Sequence, residues 1–228
     1  MLYSITHLLG QALGPWIHTS PQWHGFLAQL ADASHNDDQA LCHYWHILHY
    51  NPNATSALVG VAQTFIRRDQ PERALPYLRR DASKHPNQVD ILFGLGNCYL
   101  ESNNIPSAIA SYKAVLEVDW RHTRARFNLG HCYKRLGNWS ESAEQFKQAL
   151  MLDPSFYKAR FMYAHCLSHQ GDIKSAVHEY LETIDQSPNY AKAHFNLGNC
   201  YVQLDKINHA ERAYNRVLAL DPSADRAL

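Results

Sequence analysis

The sequence predicts an all-α solenoid of antiparallel helix pairs, and three observations carry that prediction. Landmarks recur every 34 residues through most of the chain. Each recurrence holds two apolar stripes at helical spacing with a turn between them. A proline column and a paired small-and-large column keep register over six repeats, and a segment column over four of them, which one compact core would not require.

The first column is the segment FGLGNCY at Phe93 to Tyr99, which returns as FNLGHCY at Phe127 to Tyr133 and FNLGNCY at Phe195 to Tyr201; a worn copy, FMYAHCL, starts at Phe161. The second is a proline at Pro52, Pro86, Pro154, Pro188 and Pro222, with Trp120 in the remaining slot. The third pairs a small residue (Ala40, Ala74, Ala108, Ser142, Ala176, Ala210) with a large one four places on (Tyr44, Leu78, Tyr112, Phe146, Tyr180, Tyr214). Repeats are placed at 21–54, 55–88, 89–122, 123–156, 157–190 and 191–224.

The fourth repeat shows how each is built. Phe127, Leu129, Gly130 and Tyr133 make one helical stripe, and Gly137-Asn138 breaks it. Ala143, Phe146, Ala149 and Leu150 make a second stripe, which Asp153-Pro154 stops because proline cannot continue a helix. Gly96, Gly130 and Gly198 are expected to face the small column at Ala108, Ser142 and Ala210, small against small letting two helices close. Residues 1–20 are expected to form an N-terminal capping helix, with an export or membrane segment as the alternative. Residues 225–228 would open a truncated seventh repeat.

Composition narrows the function classes. Lys and Arg together number 21, as do Asp and Glu, so no nucleic-acid signature appears. No Lys or Arg precedes Arg67, and that stretch holds seven of the fifteen His. No run is long and apolar enough to span a bilayer, so no membrane partner is expected. Five Cys without metal or redox spacing suit a reducing cytoplasm, the expected location.

Candidate chemistry is sparse. Cys98, Cys132, Cys166 and Cys200 form a ladder, but equivalent positions on neighbouring helices lie roughly 8–10 Å apart. A disulfide needs Cα atoms within about 7 Å, so these are read as buried free thiols. His43, His46 and His49 share a helix face but have no fitting carboxylate or Cys; no metal is assigned, and a pH-sensitive surface is the alternative. No nucleophile elbow, phosphate loop or dinucleotide fingerprint occurs. The expectation is no enzyme, no cofactor and no small-molecule substrate.

The period, with L-G-x-x-Y, then Ala, an aromatic, Ala and Pro, resembles the tetratricopeptide repeat (TPR). The chain departs from the pattern where Arg126, Arg160 and His194 replace a bulky residue and where Asp81 and Thr183 replace a small one. The resemblance implies a right-handed superhelix of helix pairs whose first helices line a groove for a protein or peptide. Carried over position by position, the groove columns are Phe93, Phe127, Phe161 and Phe195, then Asn97, His131, His165 and Asn199, with Asn128 and Asn196 beside them. Basic residues join at Arg124, Lys158 and Lys192 near helix starts and at Lys134 and Arg135 near an end. The Asn and basic columns are expected to have no core role. Asn97, Asn128 and Lys158 match three places of the family's carboxylate clamp, while Phe93 and Met162 replace two others. Asn128 and Asn196 also resemble the asparagine ladder of O-linked GlcNAc transferases.

Together these point to an interaction adaptor that takes an acidic segment. Two alternatives stand beside it: a scaffold that self-associates through an uncapped C-terminal end, or the regulatory TPR part of a longer enzyme.

Overall fold

A computed structural model describes residues 20–220. The expected capping helix, except for its last residue, and the seventh repeat lie outside these residues. Twelve α-helices and one 3-10 turn are present, and no strand occurs among the described residues. The chain divides into two compact units, Met1–Val118 and Asp119–Leu228. The first holds α1 (Pro21–Ala33), α2 (Asp37–Tyr50), α3 (Thr55–Arg67), a 3-10 turn (Pro71–Arg73), α4 (Leu75–Lys84), α5 (Val89–Glu101) and α6 (Ile105–Val118). The second holds α7 (Thr123–Arg135), α8 (Trp139–Leu152), α9 (Tyr157–His169), α10 (Ile173–Gln186), α11 (Ala191–Gln203) and α12 (Ile207–Leu220). Odd-numbered helices are the first of each pair.

Helix starts follow from local chemistry. Ser20 accepts the Trp23 N–H ahead of Pro21, and Asn36 and Asp172 accept the N–H groups of Gln39 and Ser175. The turn inside each pair repeats one conformation. His35, Asp69, Asn103, Gly137, Gly171 and Asp205 stand 34 residues apart, and all have positive φ, from 54° to 86°. Only glycine adopts this region freely; Asn, Asp and His tolerate it better than other residues.

Each core turns on the large residue of the second helix. Tyr112, Phe146 and Tyr214 lie over Gly96, Gly130 and Gly198 of their own pair, where a Cβ would stand 2.5, 2.8 and 2.5 Å from the ring. Tyr44 and Leu78 instead lie over Gly60 and Gly94 of the next pair. The Tyr180 hydroxyl reaches both Ser168 of its own pair and Asn196 of the next, and Asn196 occupies the position of Gly60 and Gly94 in its own repeat. The own-pair site decides the direction: it is glycine in the first three and Ala28, Ala62 or Ala164 in the others. The expected pairing of these glycines with the small column is therefore corrected. The ring needs the missing Cβ, although Ser142 does reach the Gly130 carbonyl at 2.8 Å.

The two pattern departures behave differently. Thr183 is buried and donates to the Glu179 carbonyl at 2.8 Å. Asp81 is 2% exposed, and neither carboxylate oxygen has a hydrogen-bond partner among the described residues. All four ladder cysteines are buried free thiols, and Cys42 is exposed. Burial pushes Cys98 up to about 12 and Cys132 and Cys200 up to about 11.

Candidate functional site

The first helices of the second unit carry charge of one sign. On α7, α9 and α11 stand Arg124, Arg126, Lys134, Arg135, Lys158, Arg160 and Lys192, and no Asp or Glu. Their partner helices α8, α10 and α12 are mixed, carrying Glu141, Glu144, Glu179, Glu182, Asp185 and Glu211 beside Lys147, Lys174, Arg212 and Arg216.

Two of those cations are committed to the fold. Arg126 donates to the Trp120 carbonyl and to Gln148. Arg160 donates to the Pro154 carbonyl at 3.1 Å and pairs with Glu179 at 2.8 Å. His194, one repeat later, bonds the Pro188 carbonyl at 2.9 Å. The three departures from the family pattern thus play the same part, since each ties down the carbonyl six residues back in the proline column. Arg124, Lys134, Lys158 and Lys192 form no ion pair with a carboxylate among the described residues.

A depression of about 370 Å³ opens between α9 and α11. It brings together six expected site residues, Lys134, Phe161, His165, Lys192, Phe195 and Asn196, with Met162 as a further wall. A second hollow of about 200 Å³ adjoins it, sharing His165 and Asn196 and adding Asn199, Ser168 and Gln203. The phenylalanine column divides between two roles. Phe161 is 7% exposed and packs on Tyr180 and Tyr190, whereas Phe195 is 37% exposed over Tyr214. The other expected residues are not in these hollows. Phe127 is half-buried against Phe146 and Phe156, Asn128 and His131 are half-buried, and Arg124, Arg135 and Lys158 stand on α7 and α9 with their side chains at least partly exposed. Phe93 and Asn97 belong to the first compact unit, on α5.

The expectation that the Asn column has no core role is overturned at two positions. Asn97 accepts the Tyr112 hydroxyl at 2.8 Å, and Asn199 accepts that of Tyr214 at 2.7 Å. A phenol packed into a helix pair needs a partner, and the amide fifteen residues earlier supplies it. Where the ring is Phe146, with no hydroxyl, the equivalent position is His131, whose imidazole packs on that ring at 5.4 Å. Burial, with Lys134 and Arg135, lowers the His131 pKa to about 4; burial, with His169 and Lys134, does the same for His165. Both are neutral near pH 7.

In the first unit the histidine-rich helix α2 gains a member that its own spacing did not suggest. His24 of α1 meets His43 with Nδ1 atoms 2.9 Å apart and lies tilted against His46 with ring centroids 3.6 Å apart. Three convergent ligands are required for a firm metal site, and no such group occurs among the described residues.

Comparison with known proteins settles the family. A family model described as "Tetratricopeptide repeat" matches residues 123–156 and 191–224, another of that description matches residues 65–119, and one described as "TPR repeat" matches residues 169–205. The chain belongs to the tetratricopeptide repeat family. This TPR chain is similar to the general transcriptional corepressor ssn6 of Schizosaccharomyces pombe, 30% identical over 113 residues, which span 50% of the chain and 10% of that protein. It is also similar to tetratricopeptide repeat protein 8 of Mus musculus, 38% identical over 65 residues, spanning 28% and 13%. The TPR chain thus matches 10% and 13% of the lengths of these two curated relatives. Among solved structures it resembles pilF of Pseudomonas aeruginosa, with a TM-score of 0.78 at 16% identity over 89% of this chain and 92% of that one. YrrB, described as "a TPR protein with an unusual peptide-binding site", gives 0.66 at 18% identity over 78% and 92%. These likenesses show the all-α TPR solenoid fold. Among the described residues no helix is long and apolar enough to cross a membrane.

Proposed function

We propose that this chain is a protein-interaction module that takes an acidic segment of a partner protein along α7, α9 and α11. The observation that carries the reading is the charge segregation: seven Lys and Arg and no carboxylate on these three helices. Like charges gathered on neighbouring helices raise the local potential and draw in the opposite charge, although Arg126 and Arg160 are already committed to the fold. Arg124, Lys134, Arg135, Lys158 and Lys192 are the residues proposed to meet carboxylates, and Phe161, Phe195, Asn196 and Asn199 to meet the rest of the segment. Phe127, Asn128, His131 and His165 on α7 and α9, with Phe93 and Asn97 on α5, complete the proposed binding columns. A cytoplasmic setting belongs to the same reading, as does the absence of a reaction.

Fluorescence anisotropy with a fluorescein-labelled twelve-residue Glu/Asp peptide tests it. Affinity should fall as NaCl rises from low to physiological concentration, because exposed charge contacts are screened. The Lys134→Glu/Lys192→Glu protein should bind roughly tenfold more weakly, mainly through slower association. A dissociation constant indifferent to both changes would refute the reading.

A further inference from the structure

The hollow between α9 and α11 has two parts of different chemistry. The larger is walled by the apolar side chains of Phe161, Met162 and Phe195 and by Lys134 and Lys192. The smaller is walled by His165, Ser168, His169, Asn196, Asn199 and Gln203, with Tyr180 and Cys200 behind them and no Lys or Arg. An aliphatic side chain suits the first, with neighbouring carboxylates of the segment on its two lysines. A carboxylate in the second would lose its water with no cation to replace it. An apolar side chain there would leave amides unmatched.

The donors and acceptors of the smaller part can be assigned. Asn199 already accepts the Tyr214 hydroxyl through Oδ1, so its NH2 is the part left to offer. His165 Nδ1 is buried with no hydrogen-bond partner. A buried N–H is rarely left orphaned, whereas an unmatched lone pair costs less, so the ring proton belongs on Nε2. With Nδ1 sealed, the ring edge left to line the hollows carries that Nε2–H. The smaller part therefore presents N–H donors from His165 and Asn199 beside the two-way amide of Gln203, with the Asn196 amide already engaged by Tyr180. An uncharged primary amide, whose carbonyl accepts and whose NH2 donates, matches this set.

We propose that the groove reads a pair of side chains within an acidic segment: an aliphatic one in the larger part and an Asn or Gln in the smaller. This inference rests on the acidic-segment reading above. It makes the smaller part, with Ser168, His169 and Gln203, a specificity site distinct from the charge-based attraction.

The test uses the full chain and fluorescein-labelled twelve-residue Glu peptides carrying one central Leu. In a second set, one Gln is scanned through the four positions on either side of that Leu. One Gln register should bind roughly tenfold tighter than the peptide without Gln, the size of one matched polar group. That preference, taken as the ratio of the two dissociation constants on the same protein, should vanish in Gln203→Ala and in His165→Phe, each checked for native circular dichroism. If the Leu peptide binds but no Gln register improves on it, the amide site is overturned while the acidic reading stands. A preference that persists in both variants overturns it too, because the amide is then seated elsewhere. If no acidic peptide binds, this inference and the acidic reading fall together.

Discussion

Gly130→Ala is the substitution that most sharply separates this packing scheme from ordinary helix propensity. In a helix interior, Gly to Ala normally stabilises by about 0.5–1 kcal/mol. At Gly130 the new Cβ would stand 2.8 Å from Phe146 Cε1 and 2.9 Å from Cζ, inside any normal contact. Elsewhere in the chain a large residue faced with an own-pair alanine turns to the next pair, as Leu78 does over Gly94. Phe146 has no such escape, because the corresponding residue in the next repeat is Met162, itself only 7% exposed. Overpacking of this kind costs about 1–3 kcal/mol, so the net effect is a loss of roughly 1–2 kcal/mol. For a chain of this length each kcal/mol lowers the melting temperature by roughly 2–4 °C. Urea and thermal unfolding followed by circular dichroism would read it. The double variant Gly130→Ala/Phe146→Leu should be more stable than the sum of its single changes, since Leu78 already coexists with Ala62. Gly94→Ala is the internal control: its Cβ would meet Leu78 at an ordinary 3.5 Å, so that variant should gain stability. If Gly130→Ala also gains, the reasoning about ring direction is wrong.

Further outcomes follow from buried polar groups and thiols. Asp81→Val should stabilise by about 1–3 kcal/mol in urea titrations, because it removes a buried carboxylate with no partner and installs the apolar type found at Val115 and Val217. His131 has a folded-state pKa of about 4, below its ordinary 6.5, so the folded chain binds fewer protons than the unfolded chain. Its contribution is whole above pH 6.5 and is lost as pH falls toward 4, by up to about 3 kcal/mol. Unfolding midpoints at pH 7.5 and pH 5 should differ less in His131→Phe than in the parent. Native labelling with a thiol reagent should find one fast cysteine, Cys42, and four slow ones; rapid labelling of all five would contradict the buried ladder.

The helix pairs were legible because apolar spacing and proline stops act locally, and both recur every 34 residues. Less visible were features defined by conformation instead of residue type. The left-handed turn position is filled by His, Asp, Asn and Gly in different repeats, so it forms no column by identity, although all four belong to the small class that tolerates positive φ. The direction of each ring depends on a single Gly-or-Ala choice one helix away, a contact that spacing alone does not reveal. Arg126, Arg160 and His194 looked like defects until their shared carbonyl partner appeared. Within the candidate site, the resemblance supplied Lys134, Phe161, His165, Lys192, Phe195 and Asn196. It did not suggest Ser168, His169 or Gln203, which lie beyond the family's groove columns and meet the hollow only through the packing of α9 against α11. The core role of Asn97 and Asn199 is not legible because an amide fifteen residues from a tyrosine gives no sequence signal of the bond between them.

The central claim is that the first helices of the second unit form the partner-binding face. Chemical-shift mapping of the 15N-labelled chain during titration with the acidic Leu peptide tests it most directly. The perturbed amides should cluster on α7, α9 and α11, strongest around Lys134, His165, Lys192 and Asn196, and should fade as salt is added. Perturbations centred instead on the second helices α8, α10 and α12 would contradict the claim.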